Sequence, residues 1–443
     1  MILFFLRSSV FCKNKHYLEL YSNLIKEDIS MALIDLFREK VSKSKDYGMA
    51  NEGESGVGYT SGFLGLDFLN GTVIHVKNDK MDFTYNSIGI LDGCATTVIG
   101  RSGDGKSTLI AQIGANIIRP FKDACMYIDD IEGGLANPRR REILTKFSEE
   151  EMDRRIVYRN SGITTENLYE RIRIIHDMKI ENRKDYEYDT GLYDYKGDRI
   201  FKLEPTVYIV DSIPLLLPKD ILEDDELGGQ MNASAIAKSN TFLFKKITQL
   251  IKEANIILLC INHILDDIQI NPMQRKKAQL AYLKQGERLP GGNAAIYLAN
   301  NMFRLDVISK LKNSEAFGFD GFVVDVSILK SRTNKSGKSV PMVFNQDTGF
   351  DPELSLFMLL KSSGKINGAG VGLYLADRND IKFSQKTFKE KLFNNPELQQ
   401  LFAKECYDVL VTLLSSSELE EDKFNTDVSS MIVNMGMANI PVA

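Results

Sequence analysis

Eight residues, Gly100-Arg-Ser-Gly-Asp-Gly-Lys106-Ser107, constrain this 443-residue chain more than any other feature. They match G-x-x-x-x-G-K-[ST] and lie between an apolar stretch, ATTVI, and a helical one, TLIAQIGANII. Strand, glycine-rich turn and helix in that order form the context in which this pattern reads as a phosphate-binding loop. The glycines let the backbone curl so that successive N–H groups face a β-phosphate, and the helix N-terminus adds partial positive charge. Lys106 is then suited to the β- and γ-phosphates and Ser107 to Mg2+. Arg101, Ser102, Gly103, Asp104, Gly105 and Thr108 complete the expected nucleotide cradle.

Such a loop needs a parallel sheet behind it, and the chain supplies one. Cys94–Ile99, Ala124–Ile128, Val207–Val210 and Ile256–Ile261 are short, apolar and rich in β-branched residues, with helical patterns between them. The clearest helix precedes the last strand, where Ile236, Leu243, Ile247, Leu250 and Ile251 follow a 3.6-residue period. The expected class is α/β with βαβ crossovers and a mainly parallel sheet. Three segments are expected. Residues 1–58 hold an N-terminal extension, a helix with Leu33, Ile34, Phe37 and Val41 on one face, and a Gly-rich linker from Tyr47 to Gly58. Residues 59–345 form the α/β core, in which the Tyr- and Asp-rich stretch 178–205 reads as an inserted hairpin without chemistry. Residues 346–443 are mostly helical, running through SSSELEEDK into a weakly structured tail.

Composition narrows the function classes. Apolar residues are 43 % and charged residues 26 % of the chain, ordinary for a globular enzyme, and the net charge of −5 excludes a general polycation. Any nucleic-acid contact must come from local basic loops. Cys12, Cys94, Cys125, Cys260 and Cys406 are scattered, with no C-x-x-C pair, and read as free thiols of a reducing cytosol. No apolar run approaches the roughly 18 residues of a membrane span. The opening MILFFLRSSVFC is broken by Arg7 and lacks a convincing cleavage site, so it is not read as a secretion signal. Met31 opens a cleaner start, which makes residues 1–30 an expected upstream extension of the reading frame.

Two further elements belong with the loop. In VYIVDS, Asp211 ends an apolar strand and is the candidate for holding Mg2+ through Ser107 or water. In CMYIDDIEGG, Glu132 is the favoured group to activate the attacking water, with Asp129 and Asp130 as competitors.

Read in order, SGFLGLDFLNG, GRSGDGKS, CMYIDDIEGG, VYIVDS, LLCINH and PGGNA resemble the RecA core from end to end. SILKSRTNKSGKSVPMVFNQDTGFDPELSLFMLL and the INH ending are similar to the bacteriophage UvsX recombinases, and the likeness extends over residues 31 to about 410. The resemblance implies a RecA-like P-loop NTPase core, with Glu132 as the water-activating base and His263 as the γ-phosphate sensor. It implies Mg-ATP hydrolysis and a helical filament of this chain on single-stranded DNA that pairs it with homologous duplex. A recombination mediator, a single-strand-binding protein and the cytoplasm of a bacterial host complete the expectation, in recombination, repair and replication. Two departures stand out. The acidic motif carries one extra residue between Cys125 and Glu132, which keeps Asp130 open as the base. The tyrosine that stacks on adenine is missing, which leaves two alternatives, Arg140 in NPRRRE as a substitute by guanidinium stacking or adenine held differently.

The resemblance also implies two DNA-binding loops. The first spans Leu217–Met231 and is acidic in the middle, with Met231 as the candidate apolar wedge between bases. The second spans Ile264–Asn293. Between Asn271 and Pro290 it holds Arg275, Lys276, Lys277, Lys284 and Arg288 against Glu287, a net of +4, with Tyr282 for stacking and Gly291, Gly292 and Asn293 closing it. By resemblance, Lys330 and Arg332 reach the neighbouring subunit's γ-phosphate, whereas Lys335 and Lys338 fit a solvated hairpin tip. A hexameric helicase on the same core, or a weakly hydrolysing regulator of recombination, are the competing expectations. KSRTNKSGKS and the lack of a large N-terminal helical domain oppose the helicase.

Overall fold

The computed structural model describes residues 56–77, 82–194, 197–223, 230–266, 279–291, 293–314 and 317–414. They belong to one compact unit that begins at Ser55. Its centre is a nine-stranded sheet, mostly parallel, in a mixed α/β fold. In chain order the strands are β1 (Ala95–Gly100), β2 (Met126–Asp130), β3 (Ile156–Arg159), β4 (Thr206–Asp211), β5 (Ile256–His263), β6 (Asn301–Leu311), β7 (Gly321–Lys330), β8 (Ser339–Asn345) and β9 (Gly349–Asp351). In space they run β9-β8-β7-β6-β1-β5-β4-β2-β3. From β6 through β3 neighbours are parallel, and β6 to β9 are joined antiparallel.

Alternation of side chains across the pleat explains the layers. Val207 and Ile209 of β4, with Ile257, Leu259 and Ile261 of β5, join the core shared with helix α1 (Lys106–Ile118). Tyr208 and Val210, with Ile256, Leu258 and Cys260, face the other core, built on α2 (Thr165–Glu181) and α3 (Gln230–Glu253). Both faces of the central strands are therefore covered, which is why they read as continuous apolar runs. Helix α1 lies close on the sheet because residue 114 is glycine: a Cβ there would come within 2.5 Å of Met126 Sδ and 3.2 Å of Val207.

The C-terminal segment is no separate layer. Helices α4 (Pro352–Ser362), α5 (Phe388–Phe393) and α6 (Pro396–Val411) bring Phe357, Phe388 and Phe402 into the same core as Ile110 and Val323. Phe388 sits at the centre of that packing, with ring centroids 4.8 Å from Phe357, 5.3 Å from Phe383 and 5.2 Å from Phe402.

Several expectations change at this stage. Val57 is buried and Gly58–Tyr59 pairs with Ile90–Leu91, so the end of the expected linker is built into the core. The stretch 178–205 begins as the end of α2 and only then turns into a hairpin, Glu187–Tyr193 against Arg199–Leu203. Lys338 is not a solvated tip: its ammonium donates to the carbonyls of Thr412, Leu413 and Leu414 at the end of α6, where unpaired carbonyls favour a cation. Cys94, Cys125, Cys260 and Cys406 are free thiols, and Cys12 lies outside the described residues. Among the described residues no helix is long and apolar enough to cross a membrane.

Because Phe388 is fully buried among three other rings, Phe388→Ala is expected to lower unfolding stability by about 3–5 kcal/mol. Urea denaturation followed by circular dichroism measures it, and a loss below about 1 kcal/mol would show that the ring cluster is not part of the common core.

Candidate functional site

The carboxyl ends of four adjacent parallel strands converge, the position where ligands bind in open α/β sheets. Strand β1 runs into the glycine-rich loop, β5 ends at His263 beside Gly100, β4 ends at Asp211 beside Asp130, and Glu132 follows β2. Arg101, Ser102 and Gly103 stand exposed at the loop's tip, while Lys106 and Thr108 are buried at the start of α1. Gly105 enters the helix at φ +87°, a left-handed conformation that a side chain would strain, and it leaves the first turn without a side-chain cap. A 13-residue helix with its first N–H groups uncapped offers an anion site. Asp104 braces the loop by accepting from the Arg101 N–H at 2.6 Å. The Lys106 ammonium donates to the Arg101 carbonyl at 2.7 Å. Burial lowers the Lys106 pKa, against the pull of Asp104, Glu132 and Asp211.

Next to it, the Ser107 hydroxyl donates to Asp211 Oδ2 at 2.5 Å. The other carboxylate oxygen, Oδ1, is buried without a hydrogen-bond partner among the described residues. Burial, with Glu132 and Asp130 nearby, pushes the Asp211 pKa up to about 6 although Ser107 and Lys106 oppose it. An orphaned carboxylate oxygen beside a hydroxyl suits a small hard divalent cation such as Mg2+, which takes one or two protein oxygens and completes its shell with water and phosphate. Gly134 keeps the space open: a Cβ there would lie 3.1 Å from Ser107 Oγ and 3.6 Å from Asp211 Oδ2. Among the described residues no cluster of three or more His, Cys, Asp or Glu forms, so the protein's own offer is this pair of oxygens.

The three acidic residues of DDIE separate by environment. Asp129 is buried against Arg171, at 2.5 and 2.6 Å, and the Tyr208 hydroxyl at 2.6 Å. Asp130 accepts from the N–H groups of Gly133, Gly134 and Leu135 at 2.9, 3.1 and 2.8 Å and from Tyr158 at 3.0 Å, which occupies both its oxygens. Glu132 alone turns into the site, where Ser212 Oγ donates to its Oε1 at 2.6 Å and His263 Nε2 meets the same oxygen. Burial raises the Glu132 pKa, but the bonds from Ser212 and His263, with Lys106 nearby, outweigh it and leave the carboxyl below its ordinary value.

The other sequence candidates are placed around this centre. Arg140 donates to the carbonyls of Gln346 and Asp347 at 3.0 and 2.8 Å. Lys330 donates to the carbonyls of Ile296 and Tyr297 and Arg332 to that of Tyr297, at the end of the helix Asn293–Leu298. Lys330 pairs with Met302, which pairs with Thr97 of β1; it is therefore about 10 Å below the level of Gly100, toward the amino ends of the parallel strands. Neither cation meets the glycine-rich loop of its own chain.

Of the second loop, Leu265–Asp266 pairs with Glu287–Arg288 as a two-residue ribbon at the base. Tyr282 is half exposed with its ring against Gly337, Lys284 pairs with Asp306 at 3.3 Å, and Arg288 is exposed. Gly291, at φ +85°, approaches Ile213 at the root of the first loop. Arg275, Lys276, Lys277 and Gly292 lie outside the described residues. The backbones of Met231 and Asn293 are helical, so Met231 belongs to α3 and not to a loop. Sequence reasoning missed Ser212, which only follows a candidate ligand, and two ion pairs. Arg101 joins the glycine-rich loop to Asp266 at 2.8 Å, and buried Arg304 grips Glu287 at 2.5 and 2.9 Å.

No protein-family model matches the chain, and no curated protein matches it.

A raised carboxylate pKa has a definite sign in stability. Between the unfolded value of 3.8 and about 6, the folded chain binds more protons at Asp211 than the unfolded one, so stability falls as pH rises through that window. Asp211→Asn is therefore expected to stabilise the protein without added cation near pH 7 by up to about 3 kcal/mol, and hardly at all below about pH 4. Denaturant unfolding of both proteins at the two pH values measures this, and a destabilised variant at pH 7 would contradict the orphaned carboxylate.

Proposed function

We propose that this chain is an ATP-dependent DNA recombinase with a RecA-like core of the UvsX kind, filamenting on single-stranded DNA and pairing it with homologous duplex. One observation carries the reading. Lys106, Ser107, Asp211, Glu132 and His263 meet at the carboxyl ends of β1, β4, β2 and β5, with the histidine strand between the glycine-loop strand and the aspartate strand. That is a loop for phosphates, a hydroxyl–carboxylate pair for a cation, a base, and a polar group for the terminal phosphate, in reach of one another.

In this mechanism ATP lays its phosphates along the loop, and Lys106 exchanges the Arg101 carbonyl for phosphate oxygens. Ser107 and Asp211 would hold Mg2+, which supplies charge neutralisation on the β- and γ-phosphates. Glu132 accepts the proton of the attacking water, and His263 donates to a γ-phosphate oxygen. Asp130 is unsuited to the base role, since four donors already occupy it. Arg140 forms a wall beside 346–347 where the base would lie. The second loop neutralises DNA phosphates without reading bases, as a protein that accepts any sequence requires. Lys330 and Arg332 are too far from their own loop and serve the adjacent subunit, so hydrolysis loosens both the filament and its grip on DNA.

The direct test is ATP hydrolysis with and without single-stranded DNA. The parent protein is expected to be stimulated by DNA, and Glu132→Gln to bind ATP normally while hydrolysing at least ~100-fold more slowly. A parent protein that neither binds nor hydrolyses ATP would end the proposal.

The shared site has its own test in mixed filaments. A Lys106→Ala subunit spoils its own loop but still donates Lys330, and a Lys330→Ala subunit does the reverse. Each alone is expected to be nearly inactive. Equal mixing should restore activity at about one head-to-tail interface in four. Mixed filaments with no recovered hydrolysis would exclude action of Lys330 in the neighbouring site.

A further inference from the structure

We infer that Ser212 is the positioning residue of the water-activating carboxylate: its hydroxyl fixes Oε1 of Glu132 and leaves Oε2 to receive the proton. The inference rests on the ATPase reading above. Glu132 needs such a support. It lies in the turn after β2, its side chain is 29 % exposed, and the backbone bond from its N–H to the Asp211 carbonyl at 3.2 Å fixes the main chain only. Packing does not orient its carboxylate, so hydrogen bonds must.

Two donors meet Oε1, and they differ in kind. Ser212 is completely buried, directly follows Asp211 at the end of the central strand β4, and donates at 2.6 Å. His263 is 22 % exposed, ends β5, and in the proposed mechanism has a second partner in the terminal phosphate. When the imidazole turns to that phosphate it must give up Oε1. Ser212 then remains as the donor, directly after the strand that carries the carboxylate proposed for the cation. The hydroxyl thus ties the base to the metal-binding strand rather than to the moving sensor. A carboxylate held by one oxygen presents the other in a fixed direction, and misplacement by about 1 Å costs a rate on the order of 10²-fold.

The experiment is a double-mutant cycle in DNA-stimulated ATP hydrolysis by the full chain. Ser212→Ala is expected to lower kcat by about 10- to 100-fold. Affinity for a fluorescent ATP analogue with Mg2+ should stay within about twofold of the parent's. Ser212→Thr, which keeps the hydroxyl, should recover most of the rate. Because Ser212 acts through Glu132, adding Ser212→Ala to Glu132→Gln should cost nothing further, a non-additivity that a purely structural residue would not show. A Ser212→Ala enzyme with parental kcat, or losses that simply multiply in the double mutant, would overturn the inference while leaving the ATPase reading intact. If Ser212→Ala fails to bind nucleotide, Ser212→Cys is measured in its place: slow turnover with intact binding supports the role, and parental turnover rejects it. An inactive parent overturns both readings together.

Discussion

The site is organised around a carboxylate kept away from water. Asp211 ends a strand buried on both faces, and its Oδ1 finds no partner among the described residues. Burying an ionised group without compensation is expensive, and the raised pKa registers that expense. The surrounding structure has no slack with which to relieve it. Strands β4 and β5 are packed between two apolar layers, and Ser107 is fixed by a helix whose close approach depends on Gly114. Such local destabilisation persists where the rest of the fold over-determines it, and under the proposed function a bound cation would relieve it. The Ser107 hydroxyl and the open space beside Gly134 both face the end of this one strand.

Around that fixed point, identical chemical groups take different tasks because their neighbours differ. Asp129 and Asp130 are adjacent in sequence, but successive residues of a strand face opposite sides of the sheet. Asp129 is therefore buried on the α2 side with Arg171, where burial raises its pKa against the pull of Tyr208 and Arg171. Asp130 faces the site side but is consumed in shaping the turn 133–135. Of the three, only Glu132, beyond the strand and with its carboxylate held by side chains alone, keeps a carboxylate oxygen open to the site. The extra residue in CMYIDDIEGG, which left the base open between positions 130 and 132, thus has a structural reading: one carboxylate folds the turn and another is presented by it.

Legibility in the sequence followed burial. The four parallel strands were readable because strands covered on both faces appear as unbroken apolar runs, and their ends fell within a residue or two of expectation. Strand β3 was missed because it is an edge of four residues with alternating exposure, and of the β6–β9 ladder only the β7–β8 hairpin was expected, because the ladder's pattern mixes buried and solvent-facing positions. The glycine-rich loop, Asp211 and Glu132 carried signals of type and spacing, whereas His263 entered only through the resemblance to the RecA core. Ser212 did not, since a serine after an aspartate says nothing until the turn at 132 is folded against it. Lys338 and Lys330 were read as free or interfacial charges, yet in the single chain each donates to carbonyls at a helix end. Long-range partners of that sort leave no trace in local composition.

The contacts that join the glycine-rich loop and its neighbouring strands to the second loop differ widely in strength. Arg304 is buried, one position before the residue that pairs with Gly100, and holds Glu287 with both carboxylate oxygens while also binding Asp306. Breaking a buried pair of this kind leaves an uncompensated charge and costs several kcal/mol, so it behaves as a permanent anchor for the ribbon Glu287–Arg288. Asn262 adds a second fixed tie, donating to the Pro290 carbonyl from the strand that ends at His263. Arg101–Asp266 is different: both side chains are more than half exposed, and an exposed pair is worth only about 0.2–1 kcal/mol. It joins the tip of one loop to the entry of the other, so under the proposed function a phosphate at the tip would compete for Arg101 at small cost. The ribbon's exit strand is tied by the buried anchor, whereas its entry strand has only this exposed pair besides its ladder to Glu287–Arg288, so under the proposed function a nucleotide would act on the second loop through Leu265–Asp266.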